Sequence, residues 1–365
     1  MKIEVIDLRK RFQEEKKEIL SVVKKILSKG NLVLTPELKS FEENIAKYTG
    51  AKYCLGLNSG TDALMLSLWA AGIGKGDEVI TSPISFIASA SSIIHVGAKP
   101  VFVDVGQDLN INPDLIEKAI TKKTKAIMPV HWTGRPCCMD KILKIAKKHK
   151  LLVIEDAAQG MGAYFKKTHT GMFGKISAFS AHPLKNLNAL GDGGFIITSD
   201  KKFYDKIKLY RNHGLKGRDN VEIIGVNSRL DSLNAEVLNF RLKRLKSIIK
   251  RRTNNVNIYT KKVKTKKVQF INKNKNKINA HVMFIALCEK RDKLQKYLSK
   301  FNIQSLVYYN TPLHLHKGVR YLGYKKGDFP VAERLSKKVL AFPHHQHLTK
   351  KEIVFVSKKI NDFYN

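Results

Sequence analysis

Two stretches decide how this chain is read: Leu151–Gly160, LLVIEDAAQG, and Ser180–Gly194, SAHPLKNLNALGDGG. The first is an apolar run that ends abruptly at Glu155, Asp156 and Gln159, the pattern of a buried parallel strand meeting polar groups at its carboxyl end. Open α/β sheets place ligands there, which makes Asp156 a ligand-site carboxylate; an ordinary helix N-cap is the equal alternative on the local sequence alone. The second stretch sets Lys185 behind His182-Pro183-Leu184 and ahead of Gly191, Gly193 and Gly194, which lead into the apolar Phe195-Ile196-Ile197. Glycines there let backbone pass close to a ligand, whereas most lysines in so basic a chain are simply solvated. Together a lysine amine and a buried carboxylate are the minimum set for pyridoxal phosphate: the amine forms a Schiff base and the carboxylate keeps the pyridine nitrogen protonated.

Around these stretches, short apolar runs alternate with segments of helical period, the signature of a mainly parallel sheet with helices on its faces. Strands are expected at Cys54–Leu57, Glu78–Ile80, Pro100–Val103, Ala126–Val130 and Leu151–Ile154. A helix is expected over Pro36–Tyr48, with Thr35 as N-cap and Gly50 closing it. Ser59-Gly60-Thr61 follows one strand and opens a helix, so its amides and hydroxyls suit a phosphate, or serve only as a cap. Phe86 reads either as core or as a platform for a ring. Near residue 250 the texture changes to a long basic helix followed by an Asn/Lys-rich stretch, dividing the chain into a large domain, 1–250, and a smaller α+β domain, 251–365. In the second part His281–Leu287 reads as a strand, Arg291–Phe301 as a helix, and a last helix begins near Thr349.

At 365 residues with 43% hydrophobic residues the chain can bury two cores. Met1–Phe12 lacks an apolar signal core, and no run approaches the roughly 18 apolar residues needed to span a bilayer, so a cytoplasmic protein without membrane contact is expected. Cys54, Cys137, Cys138 and Cys288 show neither a CxxC pair nor a disulfide density, which points to reduced thiols and to no metal site. The net charge of +36 raises nucleic-acid binding. Lysine outnumbers arginine by about four to one and is spread along the chain, a compositional bias more than a phosphate-reading groove. The densest run, Arg241–Arg252, keeps apolar residues at helical spacing and reads as a solvated helix face.

Further segments fall in order along the chain: NSGTDALMLSL from Asn58, GDEVITSPISFIASASSI from Gly76, GAKPVFVDV from Gly97, PVHWTGRPCCMD from Pro129, GVNSRLDSLNAEV from Gly225, and GDFPVAERLSKKVLAFP from Gly327 on to HLT at His347. With the two opening stretches they make a chain that resembles the DegT/StrS-type sugar aminotransferases, a branch of the fold type I, aspartate aminotransferase-like, pyridoxal phosphate enzymes. The resemblance implies an α/β large domain with a mainly parallel sheet plus a smaller α+β C-terminal domain. It implies Lys185 as the Schiff-base lysine and proton carrier, Asp156 at the pyridine nitrogen, Gln159 at the ring hydroxyl and Phe86 stacked on the ring. Gly60, Thr61 and Ser180 would hold the phosphate, and Asn227 would reach it from the neighbouring subunit of a homodimer with shared active sites. Arg229 is a candidate for the substrate diphosphate, and His314 for the sugar or donor carboxylate, with a structural role as its alternative. The implied reaction moves an amino group from an amino acid, glutamate foremost, through pyridoxamine phosphate to a keto-sugar carried on a nucleotide. Cys137 and Cys138 occupy a turn where relatives often carry an acidic residue, and His344-His345-Gln346-His347 replaces a more apolar stretch. Two alternatives remain: a sugar dehydratase, disfavoured because that branch has histidine in place of the lysine, and a non-catalytic regulatory or nucleic-acid-binding protein that keeps the cofactor fold.

Overall fold

A computed structural model describes residues 2–271 and 274–365. Along the chain the strands are β1 Tyr53–Leu57, β2 Glu78–Thr81, β3 Lys99–Phe102, β4 Thr124–Ile127, β5 Leu152–Asp156, β6 Tyr164–Phe165, β7 Thr168–His169, β8 Ile176–Ser180, β9 Gly194–Thr198, β10 Val268–Phe270, β11 Lys277–Ile278, β12 Ile285–Cys288 and β13 Val339–Ala341. Seven of them form the main sheet in the order β1-β9-β8-β5-β4-β2-β3. Every pairing from β8 to β3 is parallel, and β9 alone runs against both of its neighbours. The mainly parallel sheet of the sequence reading is therefore present.

Both faces of this sheet are buried, which explains the near-continuous apolar strands. On β9, Ile196 faces a core with Leu64, Leu66 and Leu68 of α3, Gly60–Ala70, while Phe195 and Ile197 face the opposite core with Phe41 and Ile45 of the preceding helix. That helix covers Pro36–Thr49, starts after Thr35 and ends on Gly50 at φ 84°, a left-handed position glycine takes without strain. Its Thr35 hydroxyl, however, donates to Ser232 Oγ at 2.7 Å in place of capping.

Beyond the sheet, a long helix over Ser232–Lys262 runs unbroken through position 250 and carries the chain into a second antiparallel sheet, β10-β12-β13. Tyr259, Phe284, Phe342, Leu294 and Ile353 fill the core there. Ile3 enters the same core and pairs with Ile303, so the amino-terminal strand-like segment packs on the carboxyl-terminal part. Two expectations need correction. The 281–287 run becomes strand only from Ile285, because Val282 leaves the sheet to donate its N–H to the Thr133 carbonyl at 3.1 Å. The Arg241–Arg252 run is a solvated face only in part: Lys243, Lys246, Lys250 and Arg251 are exposed, whereas Arg241 and Arg252 are 5% and 2% exposed and turn inward to acceptors. Among the described residues no helix is long and apolar enough to cross a membrane.

Candidate active site

Parallel strands put their carboxyl ends along one edge of the sheet, and a cavity of about 400 Å³ opens there. Asp156 ends β5 and lines this cavity. Its Oδ2 accepts a hydrogen bond from Ser89 Oγ at 2.6 Å and its Oδ1 one from the Ala158 N–H at 3.2 Å. Burial pushes the carboxyl up from its ordinary range; those donors, with Lys185 and His131, only partly offset the loss of water. The carboxylate is thus poised to meet a cation in the cavity.

At one end of the cavity the segments holding Ser59–Thr61, Ser180 and Gly194 pack so closely that neither Gly60 nor Gly194 has room for a Cβ. Ser59 caps α3, its Oγ accepting from the Asp62 N–H at 3.0 Å, which leaves the first amides of that helix, Gly60 and Thr61, directed at the space beyond. A Cβ on Gly60 would lie 2.8 Å from the Ser180 Cβ, and one on Gly194 would lie 2.3 Å from the Ser59 carbonyl oxygen. Helix-end amides with two hydroxyls, at the positive end of the helix dipole, form a receptor for a phosphate.

Lys185 also lines the cavity. It sits on a loop pinned from both sides: its own N–H donates to the His182 carbonyl at 2.9 Å, Asn186 Nδ2 donates to the Ala280 carbonyl at 2.6 Å and Asn188 Nδ2 to the Pro183 carbonyl at 2.7 Å. Dense protein around this half-buried residue holds its ammonium down to about 8, against the opposing pull of Asp156. An amine with that proton affinity exchanges protons readily near neutrality.

Gln159 lines the wall, its Oε1 accepting from the Thr133 N–H at 2.6 Å, and it also hydrogen-bonds the Tyr309 side chain. Phe86 is not core: it is 56% exposed at the cavity, with its ring 6.3 Å from that of Tyr309. Gly60, Thr61, Phe86, Asp156, Gln159, Ser180 and Lys185 therefore share one cavity. Asn227, Arg229 and His314 do not line it. Asn227 is exposed, bridged to Asn212, and Arg229 donates to Asn212 Oδ1 at 3.0 Å. His314 is buried, with Nε2 3.1 Å from Glu333 Oε1 and its ring edge-on to Phe329. The sequence reading missed Ser89, Tyr308, Tyr309, Val282 and Met283, all in the wall. Ser89 could have been suspected from the serine-rich SFIASASSI run; the others come from the distant carboxyl-terminal part and carry no local mark.

This donor set fits pyridoxal phosphate: the helix end with Ser180 for the phosphate, Asp156 for the pyridine nitrogen, Gln159 for the ring hydroxyl, Phe86 for the ring face and Lys185 for the aldehyde carbon. Comparison with known proteins agrees with that fit. S. venezuelae DesV, solved in complex with a ketimine intermediate, superposes with a TM-score of 0.97 at 34% identity, covering 99% of this chain and 98% of that one. A Streptomyces venezuelae protein named dTDP-3-amino-3,4,6-trideoxy-alpha-D-glucose transaminase is 34% identical, with 99% of this chain and 96% of that one aligned. A Geobacillus stearothermophilus protein named "Pleiotropic regulatory protein" is 38% identical over 100% of this chain and 99% of its own length. The sequence model of one family spans residues 13–361, and with the cavity just described it settles the assignment: the chain belongs to the DegT/DnrJ/EryC1/StrS aminotransferase family.

Proposed function

We propose that this protein transfers the amino group of an amino acid, with glutamate as donor, to a keto-(deoxy)sugar carried on a nucleotide. The product is an amino sugar for polysaccharide, glycan or secondary-metabolite biosynthesis. The observation that carries the reading is the presence of Lys185, Asp156 and the Ser59–Thr61 helix end on one cavity. Bound there, pyridoxal phosphate would supply an electron sink for charge developing at the donor Cα. Asp156 would hold a proton on the ring nitrogen. Lys185, held down to about 8, would anchor the cofactor and then carry the proton to and from the donor Cα. Gly60, Thr61 and Ser180 would hold the phosphate, and Gln159 and Phe86 would fix the plane of the ring.

The same proposal includes a homodimer with shared sites. Phe86, Ile87, Leu184 and Leu190 stay 56, 40, 38 and 43% exposed, apolar side chains that a second copy would cover, and Asn227 is displayed at the surface for the partner's phosphate. Arg229 is kept as the candidate for the substrate diphosphate and His314 for a substrate contact. The division into parts at 1–250 and 251–365 and a cytoplasmic, reducing setting, compatible with four free cysteines, complete it. The name of the Streptomyces venezuelae relative supports the nucleotide-linked sugar.

A regulatory reading rests on the charge of +36 and on the name of the Geobacillus relative. One experiment separates the two: incubation with glutamate and a panel of nucleotide-linked keto-sugars, read by mass spectrometry, beside a DNA-binding titration at varied salt. An amino sugar with no DNA binding near physiological salt is the expected result. No product across the panel together with tight, steeply salt-dependent binding would replace it by the regulatory reading.

A further inference from the structure

Lys185, Leu184 and Ile6 face two spaces: the main cavity, and a separate chamber of about 10 Å³, room for one water-sized species. Arg11, from the helix over Leu8–Lys29, and Arg252, from the long helix over Ser232–Lys262, also line the chamber. Both are buried, 4% and 2% exposed. Arg252 donates only to neutral acceptors: Nε to Gln346 Oε1 at 3.1 Å, and Nη1 to Asn186 Oδ1 at 2.6 Å and to the carbonyls of His281 and Val282 at 3.3 Å each. Among the described residues no carboxylate forms an ion pair with it.

Arg11 is little better served. Its Nε lies 3.4 Å from Glu15 Oε1 without a hydrogen bond, and its Nη2 reaches the Asn186 carbonyl only at 3.5 Å. Glu15 is shared with Arg241 at 2.8 Å and Arg244 at 3.5 Å. Arg11, Arg241 and Arg244 thus converge on Glu15, with Glu14 4.0 Å from Arg244 and 2.7 Å from His347 Nδ1, and the fourth guanidinium, Arg252, is in an ion pair with neither carboxylate. His345 and His347 border the chamber as well, and burial lowers the proton affinity of each. Asp7 borders it too, but its Oδ1 caps the first helix through the Lys10 N–H at 2.8 Å, and it pairs with neither arginine. A buried guanidinium without a counter-charge is costly, and water solvates such a charge without neutralising it.

The second observation is a shortage. Lys185 is the only lysine or arginine among the described residues that line the main cavity. A donor whose amine takes the place of the Lys185 amine carries its α-carboxylate one carbon away, and Arg11 and Arg252 line the chamber on the other side of Lys185. We propose that the chamber, through Arg252 and Arg11, receives one small anionic group: the α-carboxylate of the amino donor during turnover, and a free halide otherwise. The first occupant rests on the aminotransferase reading; the second does not. The partition between the two spaces consists of Ile6, Leu184 and Lys185, all with accessible surface left, so a carboxylate enters by moving side chains.

The test uses the holoenzyme. Crystals grown in bromide should show an anomalous peak between Arg11 and Arg252 that a glutamate soak displaces. In solution, Arg252→Gln should raise the glutamate concentration that half-converts the cofactor, read by absorbance, about tenfold or more, with half-saturation by the nucleotide sugar changed less than about twofold. Arg252→Lys should fall between. A bromide peak that glutamate leaves in place, with glutamate half-saturation unchanged in both variants, overturns the donor occupant and keeps the halide. No bromide peak and no selective glutamate effect overturn the receptor. If Arg252→Gln does not fold, the bromide measurement on the wild-type protein still decides, and it does so even if no keto-sugar is converted.

Discussion

Glu155 and Asp156 are neighbours at the end of β5, both buried, and they are put to opposite uses. Glu155 is wrapped by donors. Its Oε1 accepts from the N–H groups of Phe173 and Gly174 at 2.8 and 2.6 Å and from Ser177 Oγ at 3.1 Å, and its Oε2 from the Gly171 N–H at 2.7 Å and His131 Nε2 at 2.8 Å. The Cys137 N–H donates to His131 Nδ1 at 3.1 Å, which leaves the proton of a neutral ring on Nε2, facing Glu155. Burial by itself would raise the Glu155 carboxyl, but the His131 bond and the backbone donors outweigh it and hold the group low. Asp156, with two donors, stays raised. Strand alternation sends one carboxylate into a closed cradle and the other into the cavity. An incompletely satisfied buried charge is the one available for chemistry.

That contrast can be broken by experiment. Asp156→Asn should lower amino-transfer turnover by about a thousandfold while leaving the unfolding midpoint of the cofactor-free protein unchanged or slightly higher; turnover close to wild type would remove Asp156 from the chemistry. Glu155→Gln should do the reverse, costing about 3 kcal/mol in denaturant unfolding with turnover of the folded protein within a few-fold. A stable but inactive Glu155→Gln protein would mean that the two carboxylates have been assigned the wrong way round. Gly60→Ala, whose new Cβ must displace Ser180 or the helix end, should weaken cofactor retention by about tenfold, measured by equilibrium dialysis.

The smallest effect is in the pH dependence of stability. Because Glu155 is held below its unfolded value, its contribution is present above about 4.3 and is lost as pH falls through the lower folded value. The raised Asp156 contributes fully only below about 3.9, and that contribution is lost as pH rises through the folded value. Glu155→Gln should therefore flatten the acid limb of the profile, and Asp156→Asn should remove a shallow decline above it. Identical profiles for the two variants would contradict the contrast.

Asp156 and the Ser59–Thr61 turn were legible because each sits where a strand ends, and strand ends follow from local apolar patterning; Lys185 was legible from its flanks, His182-Pro183-Leu184 before it and Gly191, Gly193 and Gly194 after it. Ser89, which holds Asp156, was not. A serine in a short helix, Ala88–His95, reads as a weak helix former, and only the fold brings it 2.6 Å from a carboxylate 67 positions away. Tyr308, Tyr309, Val282 and Met283 reach the cavity from beyond the long helix, a separation that no periodicity reports. Arg241 and Arg252 went wrong for a related reason. Helical spacing shows which residues share a face, but whether that face meets water depends on what else packs there. Here Glu15 of the first helix comes to Arg241, while Asn186 and Gln346 come to Arg252.

Lys185 as the covalent anchor opposite Asp156 is directly testable. Borohydride reduction of the pyridoxal phosphate-loaded protein, followed by protease digestion and mass spectrometry, should place the fixed cofactor on the peptide containing Lys185 and nowhere else, with no covalent label in Lys185→Ala. Equal labelling of that variant, or a label on another lysine in the wild-type protein, would contradict it.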